Sequence, residues 1–437
     1  MRTWILLVVA MLVTLNAQAG LPVQHWTLAN GAQVYFIESH DLPMLDVSVD
    51  FAAGSAYDPA DKLGLASLTH RMLDQGAGNL TDNQIASNLA DVGAQLGGRL
   101  DADRAGVTLR TLSRTEERQA ALAMLTQVLN APTFAANIVE REKARVIAAL
   151  RASEAEPASL AARAFAQVVF AGHPYGNRES GEIPTVSKLT AADLHEFYQT
   201  HYNANHAVIA MIGDITKTQA DGIAQQLTAS LPAASLAANT DIPAVMSLAK
   251  AVSRTIPYPA KQSQILIGQP GVARGDPDYY ALYVGNYILG GGGFDSRLME
   301  EVRQKRGLAY SVYSYFMPMK QAGAFQIGLQ TKAEQTDQAL AVVRDTLDTF
   351  ISGGVTDAEL TQAKNNIIGG FPLRIDSNKE LLEYIAMMGY YQLPLTYLDD
   401  FPKHVADVTV DQIKSAFSRR INVSKLATVV VGGVVIK

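Results

Sequence analysis

The chain repeats itself. Asp58-Pro59 recurs as Asp276-Pro277, 218 positions on, and at the same offset Glu116 matches Glu334, Ala121-Leu122 matches Ala339-Leu340 and Leu129 matches Leu347. Further along, Val146-Ile147 corresponds to Ile367-Ile368 at an offset of 221, as a three-residue insertion requires. A single identity is noise. Several at one offset, close to half the chain, indicate a unit of roughly 200 residues that occurs twice.

Each half carries the same coarse pattern. Gln33 to Glu38, Leu45 to Ala52 and Gly106 to Leu112 alternate or run apolar, as strands do. Glu117 to Asn130 places Ala121, Leu122, Leu125, Val128 and Leu129 on one helical face, and a second helix is expected from Asn137 to Ala152. Ala207 to Ile212 reads as a buried strand ending at Gly213-Asp214. The second half repeats the order: strand Gln264 to Gly268, helix Tyr279 to Leu289, strand Phe325 to Gln330, helices Asp337 to Phe350 and Asp357 to Ile368, and a closing strand Leu426 to Val431. Strands followed by paired helices, without strict β-α-β alternation, predict an α+β fold. It would have two homologous lobes, each a mostly antiparallel sheet packed with helices. The expected division is 20–235 and 261–437, joined by an Ala-, Ser- and Pro-rich linker over 236–260.

The first nineteen residues stand outside this pattern. Arg2, the apolar run Trp4 to Leu15 and Ala17-Gln18-Ala19 have the layout of a cleaved secretory leader. This twelve-residue run falls short of the ~20 that span a bilayer, so no stable membrane anchor is expected. The chain is expected to be exported, most plainly to a periplasm. Composition then narrows the chemistry. A net charge of −6 lacks the basic footprint of a nucleic-acid binder. With no cysteine, disulfides, thiolate metal sites and cysteine nucleophiles are excluded together; a transition metal would need His, Asp or Glu, and there are only eight histidines.

Several segments, in order, resemble one family. They are Gly64-Leu65-Ala66 after Gly54-Ser55 and Asp58-Pro59, His173-Pro174-Tyr175-Gly176, Tyr202-Asn203-Ala204-Asn205 before Gly213-Asp214, and the run Gly291 to Tyr310. The chain is identified by them as similar to the pitrilysin/insulinase zinc peptidases, which include mitochondrial processing peptidase and small bacterial two-chain relatives. Active members carry H-x-x-E-H on the helix after Gly-Leu-Ala; the i, i+4 spacing sets two imidazoles on one face with a Glu base beside them. Here those positions hold Ser67, His70 and Arg71, and the distal Glu ligand falls near Ala148-Ala149. Neither alanine can bind metal, and Arg71 brings a fixed positive charge where a dication would sit. No catalytic zinc, and no other cofactor, is expected in this chain. His70 reads as a structural residue; a Ser67–His70 hydrolase has no orienting carboxylate in the sequence.

The resemblance implies a second element: an Arg and a Tyr seven positions apart that hydrogen-bond substrate near the scissile carbonyl. They match Arg303, on an expected helix from Phe294 to Arg306, and Tyr310, opening a strand from Ala309 to Phe316. Gly291, Gly292 and Gly293 are expected to line the substrate chamber. They do not form a phosphate loop, because Phe294-Asp295-Ser296 stands where Lys-Ser/Thr would be required. The expected function is that of a non-catalytic subunit, like the alpha subunit of the processing peptidase. It would lend Arg303 and Tyr310 to a homologous partner bearing H-x-x-E-H and zinc, with unfolded peptides as substrates. The alternative is a peptide-binding or scaffolding protein without peptidase activity.

Overall fold

The computed structural model describes residues 22–232 and 241–433; the expected leader lies outside them. Two sheets organise the chain. The first contains β1 (Gln24–Thr27), β2 (Gln33–Glu38), β3 (Met44–Phe51), β6 (Gln95–Leu100), β7 (Ala105–Leu112) and β8 (Val208–Gly213), in the order β1-β2-β8-β3-β7-β6. A small ribbon, β4 (Gly76–Ala77) with β5 (Leu80–Thr81), stands apart. The second sheet contains β9 (Val252–Tyr258), β10 (Gln262–Pro270), β11 (Ala309–Phe316), β12 (Ala324–Lys332) and β13 (Ala427–Gly433), in the order β11-β12-β10-β13-β9.

The two sheets share one topology. β2 pairs parallel to β8, and β9 parallel to β13; every other pairing among the corresponding strands is antiparallel. β1 is the one addition, an antiparallel strand on the outer edge of β2. The duplicated Asp-Pro does a related job twice. Asp58 accepts from the backbone N–H groups of Gly64 (2.6 Å) and Ala66 (2.7 Å), fixing the start of helix Leu65–Met72. Asp276 accepts from the Asp278 N–H just before helix Tyr279–Asn286 and pairs with Arg420.

Three expectations are corrected. The segment 236–260 is not all linker, because Val252–Tyr258 is a strand whose full length pairs with β13. Its Pro257 is tolerated because β9 is an edge strand. Helix Phe294 to Arg306 is not continuous: a turn over Gly293–Asp295 precedes a wide π-type helix, Met299–Gln304. The helix expected over Tyr279 to Leu289 ends its regular part at Asn286 and widens into a π turn, Tyr287–Gly291.

Both faces of each sheet are covered, and the second cover is exchanged between lobes. Helix Pro157–Val169, from the first half, packs on β10 and β13 of the second sheet. Its Ala161, Ala164, Phe165 and Val169 share an apolar cluster with Leu266, Val429 and Val431. Reciprocally, helix Asn378–Tyr390 packs on β2, β3 and β8 of the first sheet. Ile37, Ala210 and Ile212 accordingly join the core built around Ile385, Ala386 and Met388. This explains why Val208–Gly213 is apolar at consecutive positions: Ile209 and Met211 face the helices of their own lobe, Ala210 and Ile212 the exchanged one.

Candidate functional site

Helix Leu65–Met72 buries Leu65, Ala66, Leu68, Thr69 and Met72, which leaves Ser67, His70 and Arg71 on the side facing the sheet edge and the solvent. Ser67 and Arg71 line a cleft of about 590 Å³ together with Ala149. The structure thus brings two of the motif positions and one distal candidate to one place. Ala149 comes from helix Ala136–Ser153. Arg71 stands 4.0 Å from the carboxylate of Glu142, which is 1% exposed and also bound by Arg141 (3.0 Å) and Arg145 (2.7 Å). Sequence reasoning missed Glu142; its position one helical turn before Arg145 and Val146 was the only signal.

These residues do not fit a zinc ion. A hydroxyl, an alanine and a guanidinium offer no tetrahedral set, and the Glu142 carboxylate is taken by arginines. Among the described residues no group of three or more His, Asp or Glu is placed to hold a metal.

His70 turns away from the 590 Å³ cleft. Its Nε2 donates to the Gly106 carbonyl at 2.9 Å, and burial lowers its pKa, which favours the neutral ring. The ring lies against Gly98, where a Cβ would come within 2.7 Å of it. His70 therefore ties the helix to the β6–β7 edge, and its bonded nitrogen is occupied by a backbone carbonyl rather than Ser67. His70 shares a neighbouring groove of about 410 Å³ with Ser67, Arg71, Gly97 and Gly98. β6 ends the sheet, so its outer backbone groups have no strand partner among the described residues.

Arg303 and Tyr310 lie in a different cavity, of about 650 Å³, which shares no lining residue with the first. The Arg303 guanidinium carbon sits 4.8 Å from the centroid of the Tyr310 ring and 4.8 Å from that of Phe294. Tyr310 is 84% exposed and Phe294 64%. The carboxylates of the same helix are otherwise engaged, Glu301 with Lys305 and Arg306 and Glu300 with Lys305. Tyr310 falls in a register shift of the edge strand β11, between the paired residues Ala309 and Val312. Gly291 and Gly293 line this cavity. Gly292 instead donates to the Tyr287 carbonyl (2.7 Å) and packs against that ring. Gly293 has φ +64° with open space around it, the one glycine of the run in a left-handed conformation. Tyr283, Tyr287, Tyr313 and Arg374 complete a wall of aromatic rings and donors. Arg374 donates to the Tyr283 hydroxyl at 2.7 Å.

Two sheets with one topology, a helix that carries a zinc motif's positions without its ligands, and an exposed Arg/Tyr pair in the other half define a degenerate peptidase fold. Residues 34–181 match the family model for insulinase (peptidase family M16), and residues 188–367 match that for the peptidase M16 inactive domain. The chain belongs to this family, as a member that is not catalytic on its own. A solved structure of a peptidase M16 inactive domain from Pseudomonas fluorescens is similar at 37% identity, with a TM-score of 0.91, covering 95% of this chain and all of that one. The non-peptidase homolog YmxG of Helicobacter pylori is 27% identical over 399 residues, 91% of each chain. An uncharacterized zinc protease of Streptomyces coelicolor is 29% identical over 287 residues, and the chain spans 61% of its length. The periplasmic protease PqqL of Escherichia coli shares the fold, with a TM-score of 0.79 at 16% identity over 94% of this chain and 45% of that one.

Proposed function

We propose that this chain is the non-catalytic subunit of a heterodimeric zinc endopeptidase. A homologous partner would supply H-x-x-E-H and the zinc, and this chain would supply Arg303, Tyr310 and half of the peptide chamber. One observation carries the reading: a tyrosine 84% exposed stands beside an arginine held by aromatic rings rather than by a carboxylate. A core tyrosine would be buried, and this guanidinium lies against two exposed rings instead of in a salt bridge. Held in this way, the guanidinium and the phenol keep their donors free for a substrate carbonyl. Two such donors can stabilise the oxyanion that develops when a zinc-bound water attacks that carbonyl. The substrate is an unfolded peptide, which can enter extended and pair with a sheet edge. The leader-like residues 1–19 and the fold shared with a periplasmic protease support an exported, periplasmic location. No helix among the described residues is long and apolar enough to cross a membrane.

Reconstitution tests this. Purified chain, a homolog bearing H-x-x-E-H and zinc are mixed and assayed on a quenched peptide. Arg303→Ala or Tyr310→Phe is expected to lower kcat/KM of the mixture by about 10²–10³. Unchanged activity in both variants would remove the assisting role. A second reading, a peptide-binding scaffold without hydrolysis, is favoured by the unpartnered β6 edge beside Ser67 and Arg71. It would be marked by peptide binding with no gain of hydrolysis in any mixture.

A further inference from the structure

The cleft built on the motif helix has inverted its charge. Arg71, Arg145, Arg163 and Arg178 all line it, and no Asp or Glu does among the described residues. Arg145 and Arg163 are each held by one carboxylate from outside the lining, Glu142 at 2.7 Å and Glu182 at 2.6 Å. Two of the cleft's guanidinium atoms have no partner among the described residues although they are removed from solvent: Nε of Arg163 and Nη1 of Arg178. The Arg178 side chain makes no hydrogen bond or ion pair to any described residue. A buried donor left unpaired costs free energy, more so when it is charged, and an ion or a water that completes it relieves that cost. Guanidinium stays protonated at any physiological pH, so the site selects anions and excludes dications throughout.

The cleft also has a direction. Ser67 and Arg71 belong both to it and to the groove lined by Gly97 and Gly98 of the edge strand β6. An extended chain laid along that edge would pass Ser67 and Arg71 and reach the arginines. We propose that this cleft is a carboxylate-binding site, which receives an acidic side chain or the C-terminal carboxylate of a peptide paired with β6. The proposal rests on the reading that β6 binds peptide. Fork-shaped, two-point recognition of a carboxylate is what an arginine offers and a lysine does not.

The test uses the full chain and three fluorescent peptides that share one extended apolar sequence. One carries an internal Glu with an amidated end, one a Gln with a free C-terminus, and one a Gln with an amidated end. Inorganic phosphate alone is a fourth probe, read by its effect on Tm. Carboxylate peptides are expected to bind at least tenfold tighter than the neutral one at low salt, equivalent to about 1.4 kcal/mol. Arg178→Gln should abolish the difference without lowering Tm, since the Arg178 side chain holds no other described residue; Arg71→Gln is a second variant should the first fold poorly. Which of the two charged peptides wins identifies the carboxylate's source. Equal binding of all three peptides would overturn the proposal and leave peptide binding at β6 standing. No peptide binding, with an Arg178-dependent rise in Tm from phosphate, would overturn both in favour of a small-anion site.

Discussion

His201 shows at the scale of one residue how this chain uses its few histidines. Its Nδ1 donates to the Ala52 carbonyl at 3.0 Å, and its ring packs against Phe197 and Tyr57. Burial lowers its pKa to about 4. In the unfolded chain the value is about 6.5. Between the two, the unfolded chain takes up a proton that the fold refuses, so this residue's contribution to stability falls as pH falls from 6.5 to 4. Wild type is expected to lose about 2–3 kcal/mol more than His201→Asn between pH 7.5 and 4.5, by urea titration. Parallel losses would show that the ring is not held neutral. His70 follows the same logic in the same direction. The two histidines spend their hydrogen bonds on backbone carbonyls, which is why neither is a catalytic base.

At the scale of elements, glycine marks where the exchanged helices touch the sheets. Gly389 lies on the helix Asn378–Tyr390, and a Cβ there would meet Val208 Cγ1 at 2.6 Å and Tyr35 Cε2 at 2.7 Å. Val208 is a stiff side chain in a strand and cannot step aside. Gly222, in the middle of helix Lys217–Thr228, has open space instead. Gly389→Ala is therefore expected to destabilise by about 1–2 kcal/mol, overpacking outweighing the gain in helix propensity. Gly222→Ala should stabilise by up to about 1 kcal/mol. Chemical denaturation reads both, and equal signs would refute the packing argument. The sequence made the long strands and helices legible, because Met44–Phe51, Ala105–Leu112 and Thr336–Gly353 carry their period plainly. It did not reveal β6, whose Gln-Leu-Gly-Gly-Arg-Leu is weakened by two central glycines, or β9, interrupted by Pro257. The motif positions could be placed from sequence. The arginine cleft could not, since Arg163 and Arg178 lie about a hundred positions beyond Arg71 and only the fold joins them.

Over the whole molecule, one carboxylate closes the lobes on each other. Asp103, fully buried, accepts from the hydroxyls of Tyr175 (2.5 Å) and Tyr391 (2.7 Å) and from the Lys320 N–H (2.7 Å), while Tyr390 donates to its carbonyl at 2.6 Å. Burial pushes its pKa up, and the three donors pull against that. Asp103→Ala would strand two phenols and an amide and is expected to cost about 2–4 kcal/mol by thermal or urea unfolding. A loss under 1 kcal/mol would show that the Asp103 hydrogen bonds do not hold the lobes together.

Those helices also set an order of events. A chain that grows from its N-terminus completes the strands of the first sheet at Gly213, but helix Asn378–Tyr390, which covers one face of that sheet, comes much later. Until then Ile37, Ala210 and Ile212 have nothing to lie against. The first lobe cannot reach its final state as it is made. Until nearly the whole chain is available, that face of the sheet is apolar and uncovered, the condition under which a folding chain is most prone to associate with its neighbours.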